Sequence, residues 1–263
     1  PLYETGSDVS VNPLISEMTF ENANFAEDLT EFASKWNASA KKLILVGVNA
    51  PNEIEQNFID QLANDPSVVV MTETTSNLHH PNFVNNIDTI ITPFTEEDFK
   101  EFQPDILMTF GGMVVSKRIK AFLRKYRPKS HWHIDSLRAY NTFNALTKHF
   151  EISPNEFFEK FLPKTKDVES DYNQKMQELK AFRKEKHDLY LSTIPFSDFK
   201  VFGKVMPSLP QNSQLQISNS SAIRYAQLVD IDETISVFCN RGTRGIDGST
   251  STAVGACLAS GQE

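Results

Sequence analysis

The chain has 263 residues, room for one large domain or two of ordinary size, and its 34 acidic against 26 basic side chains give a formal net charge of −8. That balance excludes a general nucleic-acid-binding surface, so basic residues would have to gather locally to bind an anion. No apolar run approaches the roughly 20 residues needed to cross a bilayer, and the opening PLYETGSDVS has neither a basic start nor an apolar signal core.

In chain order, residues 1–29 read as an interdomain link that starts on Pro1 rather than Met, which suggests a piece of something longer. The first clear strand is KLILVGVN (42–49), followed by SVVVMTET (67–74), DTIIT (88–92), DILMTFGG (105–112) and SHWHID (130–135). These runs are unbroken rather than alternating, as in strands covered on both faces of a parallel sheet. Helix-length segments such as EEDFKEFQ and KRIKAFLRKY separate them, which predicts an α/β fold: a doubly wound parallel-sheet central domain over residues 30–150. Ligands of such a sheet sit beyond the carboxyl ends of its strands, in the turns GVNAPN, TETTSNLHH, FGGMVVSKR and IDSLRAYN.

Residues 151–195 change character. Ser153 before Pro154 makes an N-cap and first-turn pair, and DVESDYNQKMQELKAFRKEKHDLYLST is a charged amphipathic helix, so the segment reads as a helical connector. From Phe196 a second rhythm begins: helix FSDFKVFGKVMPSLP, strand QLQISN, helix SAIRYAQLV, strand ETISVFCN, then a glycine-rich loop and a small-residue helix. Residues 196–263 are therefore the beginning of a second α/β domain, expected to lean on the first or on another chain. Cys239 and Cys257 lie among small or apolar neighbours, away from metal-ligand spacing, and are expected to be reduced and buried in a cytoplasmic protein.

Three stretches bear on chemistry. In SNSSAIRYAQ, Asn219, Ser220 and Ser221 enter a helix start that attracts anions such as diphosphate, with Arg224 one turn on; an ordinary serine N-cap is the alternative. In NRGTRGIDG, Gly242, Gly245 and Gly248 permit close backbone approach, Arg241 follows a strand end, and Ile246 is the large apolar residue of the loop, either a ligand prop or a core plug. In GGMVVSKRIK, Lys117 and Arg118 open a helix against its dipole; an anionic ligand would compensate, as would solvent. His131 and His133 face one side of a strand, without the G-x-S-x-G elbow of a hydrolase, and read as partly buried polar residues. His79 and His80 sit in a turn, facing solvent or another subunit.

NRGTRGIDGSTSTAVGA resembles the segment that marks the 2-succinyl-5-enolpyruvyl-6-hydroxy-3-cyclohexene-1-carboxylate synthase family, thiamine-diphosphate enzymes of menaquinone biosynthesis. SNSSAIR resembles the family's G-N-S-x-x-x-R element and GGMVVSKR its S-K-x element; PLYE is similar to the link leaving its first domain. The resemblance implies a central domain followed by the start of a thiamine-diphosphate-binding domain, in an enzyme that decarboxylates 2-oxoglutarate and adds the resulting carbanion equivalent to isochorismate. It implies cofactor contacts for Asn219, Ser220, Gly245 and Ile246, the last beneath a bent thiamine, and contacts to dicarboxylate substrates for Lys117, Arg118, Ser220, Arg224 and Arg241. Ser218 departs from the usual glycine and Arg244 from a small polar residue. The resemblance further implies Mg²⁺ (or Mn²⁺), and a homodimer or tetramer. The activating glutamate and the metal-binding G-D-x…N element fall outside residues 1–263, so the fragment alone is expected to be inactive. A rival reading makes residues 30–150 a nucleotide-binding or allosteric module, although GVNAPN lacks the G-x-G-x-x-G fingerprint.

Overall fold

The computed structural model describes residues 28–241 and 248–260. Five parallel strands, β1 (Lys42–Val46), β2 (Val68–Met71), β3 (Ile106–Phe110), β4 (Ser130–Ile134) and β5 (Leu146–Phe150), form one sheet in the order β2-β1-β3-β4-β5. β1, β2 and β3 are buried at every residue, as their unbroken apolar runs require of strands covered twice.

Alternate side chains feed two cores. Ile44, Val46, Val68, Val70, Met108, Trp132 and Phe150 meet α1 (Thr30–Asn37), α2 (Gln56–Asn64) and α6 (Pro154–Phe161) on one face. Leu43, Leu45, Val69, Met71 and Leu107 meet α3 (Ile87–Ile91), α5 (Lys117–Lys125) and the start of α7 (Tyr172–Thr193) on the other, with α4 (Glu96–Glu101) adding Phe99. The fold is α/β, a three-layer sandwich with a parallel sheet in the middle.

Two sequence expectations change. DTIIT is a helix, not a strand: Ile87, Ile90 and Ile91 are buried, and their i, i+3, i+4 spacing is a helical stripe. The fifth strand is LTKHF, an edge strand with a single fully buried residue, Phe150, whose mixed polar sequence hides it from an apolar-run reading.

The segment 151–195 packs on the sheet at its start. Ser153 Oγ caps α6 by accepting from Glu156 N–H at 3.3 Å, and Phe157, Phe158 and Phe161 are buried in the first core. Asn173 Nδ2 donates to Val68 C=O at 2.7 Å, and the Tyr172 hydroxyl donates to Phe102 C=O at 3.0 Å. Beyond Met176 the helix buries no residue.

The C-terminal part holds α8 (Asp198–Val205), β6 (Gln214–Ser218), α9 (Ser221–Ala226), β7 (Ser236–Asn240) and α10 (Gly248–Ser260), with β6 and β7 a parallel pair. Its small core of Met206, Ile217, Ile223, Ala226, Val229, Ile235 and Val237 also takes in Val115 from the loop before α5, so this part leans on the first, as anticipated. The thiols differ from expectation: Cys239 is half-buried and Cys257 is exposed, because α10 buries none of its side chains.

Candidate functional site

The sheet order reverses between β1 and β3, the place where a doubly wound fold opens a crevice at its carboxyl edge. Here that crevice is filled by backbone. Gly112 N–H donates to Val48 C=O at 2.7 Å, and a Cβ added at Gly47 would stand 1.9 Å from Gly112 O. Gly111, at φ +76°, turns the chain away into the loop 113–116 and then α5.

That loop delivers the predicted cations. Ser116 caps α5, accepting from Ile119 N–H at 3.1 Å, and its hydroxyl donates to the Asp88 carboxylate of α3. Lys117 and Arg118 follow, both exposed, on the rim of a cavity of about 520 Å³. Arg224 and Tyr225 of α9 line the opposite wall, so residues about a hundred apart in sequence converge on one cleft. Asp88 is the acid in that lining. Three cations against one carboxylate make a cleft suited to an anion, and arginine adds a planar fork that matches a carboxylate.

Beneath the loop lies Glu73, 4% exposed, two residues past β2. Its carboxylate accepts from Val115 N–H at 2.5 Å and Ser116 N–H at 2.7 Å. Burial pushes the Glu73 carboxyl up to about 7, and Asp88 adds to that; the two N–H donors and Lys120 oppose it. Lys120 donates to Val114 C=O at 3.0 Å. Burial pulls its ammonium group down, Glu73 holds it up, and Arg241, Arg124 and Lys117 push it further down. Arg241 therefore stands with Lys120 rather than on the cleft wall.

Ser220 occupies the N-cap position of α9 but caps nothing, which removes the ordinary-cap reading. Its backbone, at φ +73° and ψ −123°, holds a conformation natural to glycine. Asn219 precedes it, half-buried. Gly245, Ile246 and Arg244 lie outside the described residues.

A second cavity, of about 270 Å³, opens beyond the ends of β3 and β4, lined by Lys120, Arg124, Arg138, His131 and His133 among others. Thr109 Oγ1 bridges the two histidines, 2.9 Å from His131 Nε2 and 2.8 Å from His133 Nδ1. His131 is 1% exposed and its Nδ1 has no partner. A buried lone pair without a partner costs less than a buried N–H without one, so the proton belongs on Nε2, donated to Thr109, whose own hydroxyl then donates to His133. His133 is half-buried, as the sequence suggested, whereas His131 is more deeply buried than expected. Burial, helped by His133, pushes His131 down to about 3.

The residues that sequence reasoning missed are Glu73, Lys120, Arg124 and Asn77. Two of them lie in TETTSNLHH, one of the turns beyond the strand ends; an acid two residues past an apolar strand was the available signal. Among the described residues, no group of three acidic, histidine or cysteine side chains is placed to hold a metal ion, and no helix is long and apolar enough to cross a membrane.

A family model described as the middle domain of thiamine pyrophosphate matches residues 14–217, and the chain belongs to that family. Among curated proteins it is similar to the 2-succinyl-5-enolpyruvyl-6-hydroxy-3-cyclohexene-1-carboxylate synthases of Flavobacterium psychrophilum (62% identical over 263 residues, 100% of this chain and 48% of the relative), Flavobacterium johnsoniae (61% over 264 residues, 100% and 48%) and Christiangramia forsetii (50% over 266 residues, 99% and 46%). The chain thus spans about half the length of the curated relatives it matches.

Proposed function

We propose that this chain is part of a thiamine-diphosphate-dependent synthase of menaquinone biosynthesis that decarboxylates 2-oxoglutarate and adds the four-carbon unit to isochorismate. The observation that carries this reading is the cleft where Lys117 and Arg118 of α5 face Arg224 of α9. Both substrates are dicarboxylates, and a cleft with three cations offsets the desolvation of their carboxylates. Lys117 and Arg118 take a substrate carboxylate from the sheet side; Arg224, with Ser220 at the head of its helix, takes one from the other wall. Arg241 adds positive potential behind them through its place beside Lys120.

Thiamine diphosphate, when bound, supplies the electron sink for decarboxylation. The glycine-like backbone of Ser220 fits a close approach of a ligand to that turn, and the reading places Asn219, Gly245 and Ile246 in the same cofactor pocket. The Mg²⁺ or Mn²⁺ that holds the diphosphate is assigned to residues outside those described, and the working enzyme to a cytoplasmic homodimer or tetramer. On this reading a polypeptide of these 263 residues alone does not turn over 2-oxoglutarate with isochorismate.

In the full-length protein, Lys117→Ala and Arg224→Ala are each expected to raise KM for 2-oxoglutarate or isochorismate by about 10- to 100-fold. Unchanged kinetics in both variants would overturn the assignment of the cleft.

A second reading has one observation in its favour, the 270 Å³ cavity with Lys120, Arg124 and Arg138 in its lining at the carboxyl ends of β3 and β4. It makes the central domain a nucleotide-binding or allosteric module. Calorimetry with NAD, FAD and ADP separates the two: micromolar binding supports the module, and no heat removes it.

A further inference from the structure

Glu73 has no part in the reaction proposed above, yet the fold places its carboxylate under the loop that carries the cations. Helix capping does not account for it. Ser116 Oγ already accepts from Ile119 N–H and caps α5. The groups that Glu73 holds belong to Val115 and Ser116, one residue before the cap and the cap itself. With Lys120 donating to Val114 C=O and the Ser116 hydroxyl bound to Asp88, the entry to α5 is tied down at consecutive peptide groups. Glu73 is tied in turn: its N–H donates to Ser76 Oγ at 2.9 Å, and Ser76 Oγ donates to Val46 C=O at 3.0 Å, at the end of β1. A chain of hydrogen bonds therefore runs from the sheet through Glu73 to the residue before Lys117.

We propose that Glu73 is a positioning residue for the cleft: by accepting both N–H groups at the entry to α5 it fixes where Lys117 and Arg118 stand, and protonation of its carboxyl group releases that hold and weakens anion binding. This rests on the reading of the cleft as a dicarboxylate site. An ionised carboxylate accepts both N–H groups, one on each oxygen. A protonated one carries an O–H that opposes one of them, so one bond is lost and an N–H is left buried.

The charged groups that act on Glu73 are Asp88 from α3, which disfavours its ionisation, and Lys120 from α5, which favours it. Arg241, after β7, acts on Lys120. His79, exposed at the mouth of a small cavity it shares with Glu73, has its imidazole held low, chiefly by partial desolvation. With burial pushing Glu73 up to about 7, the carboxylate holds the loop above that pH and releases it below.

The test uses the full-length protein. Hydrogen exchange of a peptide covering residues 113–120, corrected for the intrinsic pH dependence of exchange, is expected to slow by about tenfold between pH 6 and pH 8. KM for 2-oxoglutarate is expected to fall over the same interval, with kcat unaffected by this ionisation. Glu73→Gln, which offers one carbonyl oxygen and no charge, is expected to show a raised KM and no such pH step in either measurement. Protection that stays flat across this range in the wild type, a measurement that needs no variant, overturns the proposal. If protection is flat while Lys117→Ala still raises KM, the positioning role falls and the cleft assignment stands. If protection steps with pH while Lys117→Ala and Arg224→Ala leave both KM values unchanged, the hold on the loop is supported and the dicarboxylate reading fails.

Discussion

The side-chain amide of Asn77 pairs with the backbone of Val237 as a neighbouring strand would, its Oδ1 accepting from Val237 N–H at 2.8 Å and its Nδ2 donating to Val237 C=O at 3.0 Å. The same Nδ2 donates to Asn49 C=O at 2.9 Å, so one side chain joins the turns after β1 and β2 to β7 of the C-terminal part. Asn77 has φ +49°, a left-handed conformation that asparagine tolerates better than most residues. Asn77→Ala is expected to destabilise the protein by about 2–4 kcal/mol, since it takes the partner from three backbone groups and strains the turn. Asn77→Asp should be at least as damaging, because an oxygen replaces the donor facing two carbonyls. Denaturant unfolding of the two variants beside Asn77→Gly, which loses the same amide but adopts the left-handed turn without strain, checks the ranking and separates the two costs.

Thr109 carries the histidine pair. Thr109→Val removes the hydroxyl that both rings use and leaves their nitrogens buried without partners, at an expected cost of about 2–3 kcal/mol. Thr109→Ser keeps the bridge and is expected to cost under 1 kcal/mol. Nitrogen chemical shifts of the imidazoles check the tautomer: His131 should carry its proton on Nε2.

The strained serine makes an opposed pair of outcomes. Ser220→Gly is expected to gain about 1 kcal/mol of stability by relieving a backbone that glycine adopts freely. On the function proposed above, the same change in the full-length protein should weaken substrate or cofactor binding, because it deletes the hydroxyl. Thermal unfolding and KM, measured on one preparation, read both.

Two buried groups give stability opposite pH slopes. Glu73 has a folded value near 7 against an ordinary 4.5, so the folded state keeps its proton longer. Its contribution is full below about pH 4.5 and declines by about 1.4 kcal/mol per pH unit up to about 7. His131, near 3 against an ordinary 6.5, works the other way. The unfolded chain takes up the proton first, so stability falls by a similar slope as pH drops below about 6.5. Glu73→Gln should remove the first slope and His131→Asn the second, as read by chemical denaturation from pH 4 to pH 8.

Much of the architecture was legible because burial on two faces leaves apolar runs at β1, β2 and β3. The reading failed where that rule gives no answer. Residues 88–92 are too short for an apolar run to separate a strand from a helical stripe, and β5 is an edge strand with a nearly polar face. For the cleft, Lys117, Arg118 and Arg224 were all named from local motifs, yet their convergence depends on how the two parts dock. That docking rests on contacts such as Asn77 to Val237, 160 residues apart, which no local pattern encodes. Glu73 was hidden for the same reason: its partners are 42 and 43 residues further along the chain.

The sealed crevice at Gly47 and Gly112 bears on how tightly the proposed cleft would hold a ligand. The loop before Lys117 has one root wedged between strand ends where no side chain fits, and its other root bound to a buried acid. A loop pinned at both roots has little freedom left to surrender when a ligand arrives. Its affinity for a small anion then reflects charge and fit, with the cost of ordering already met when the chain folds.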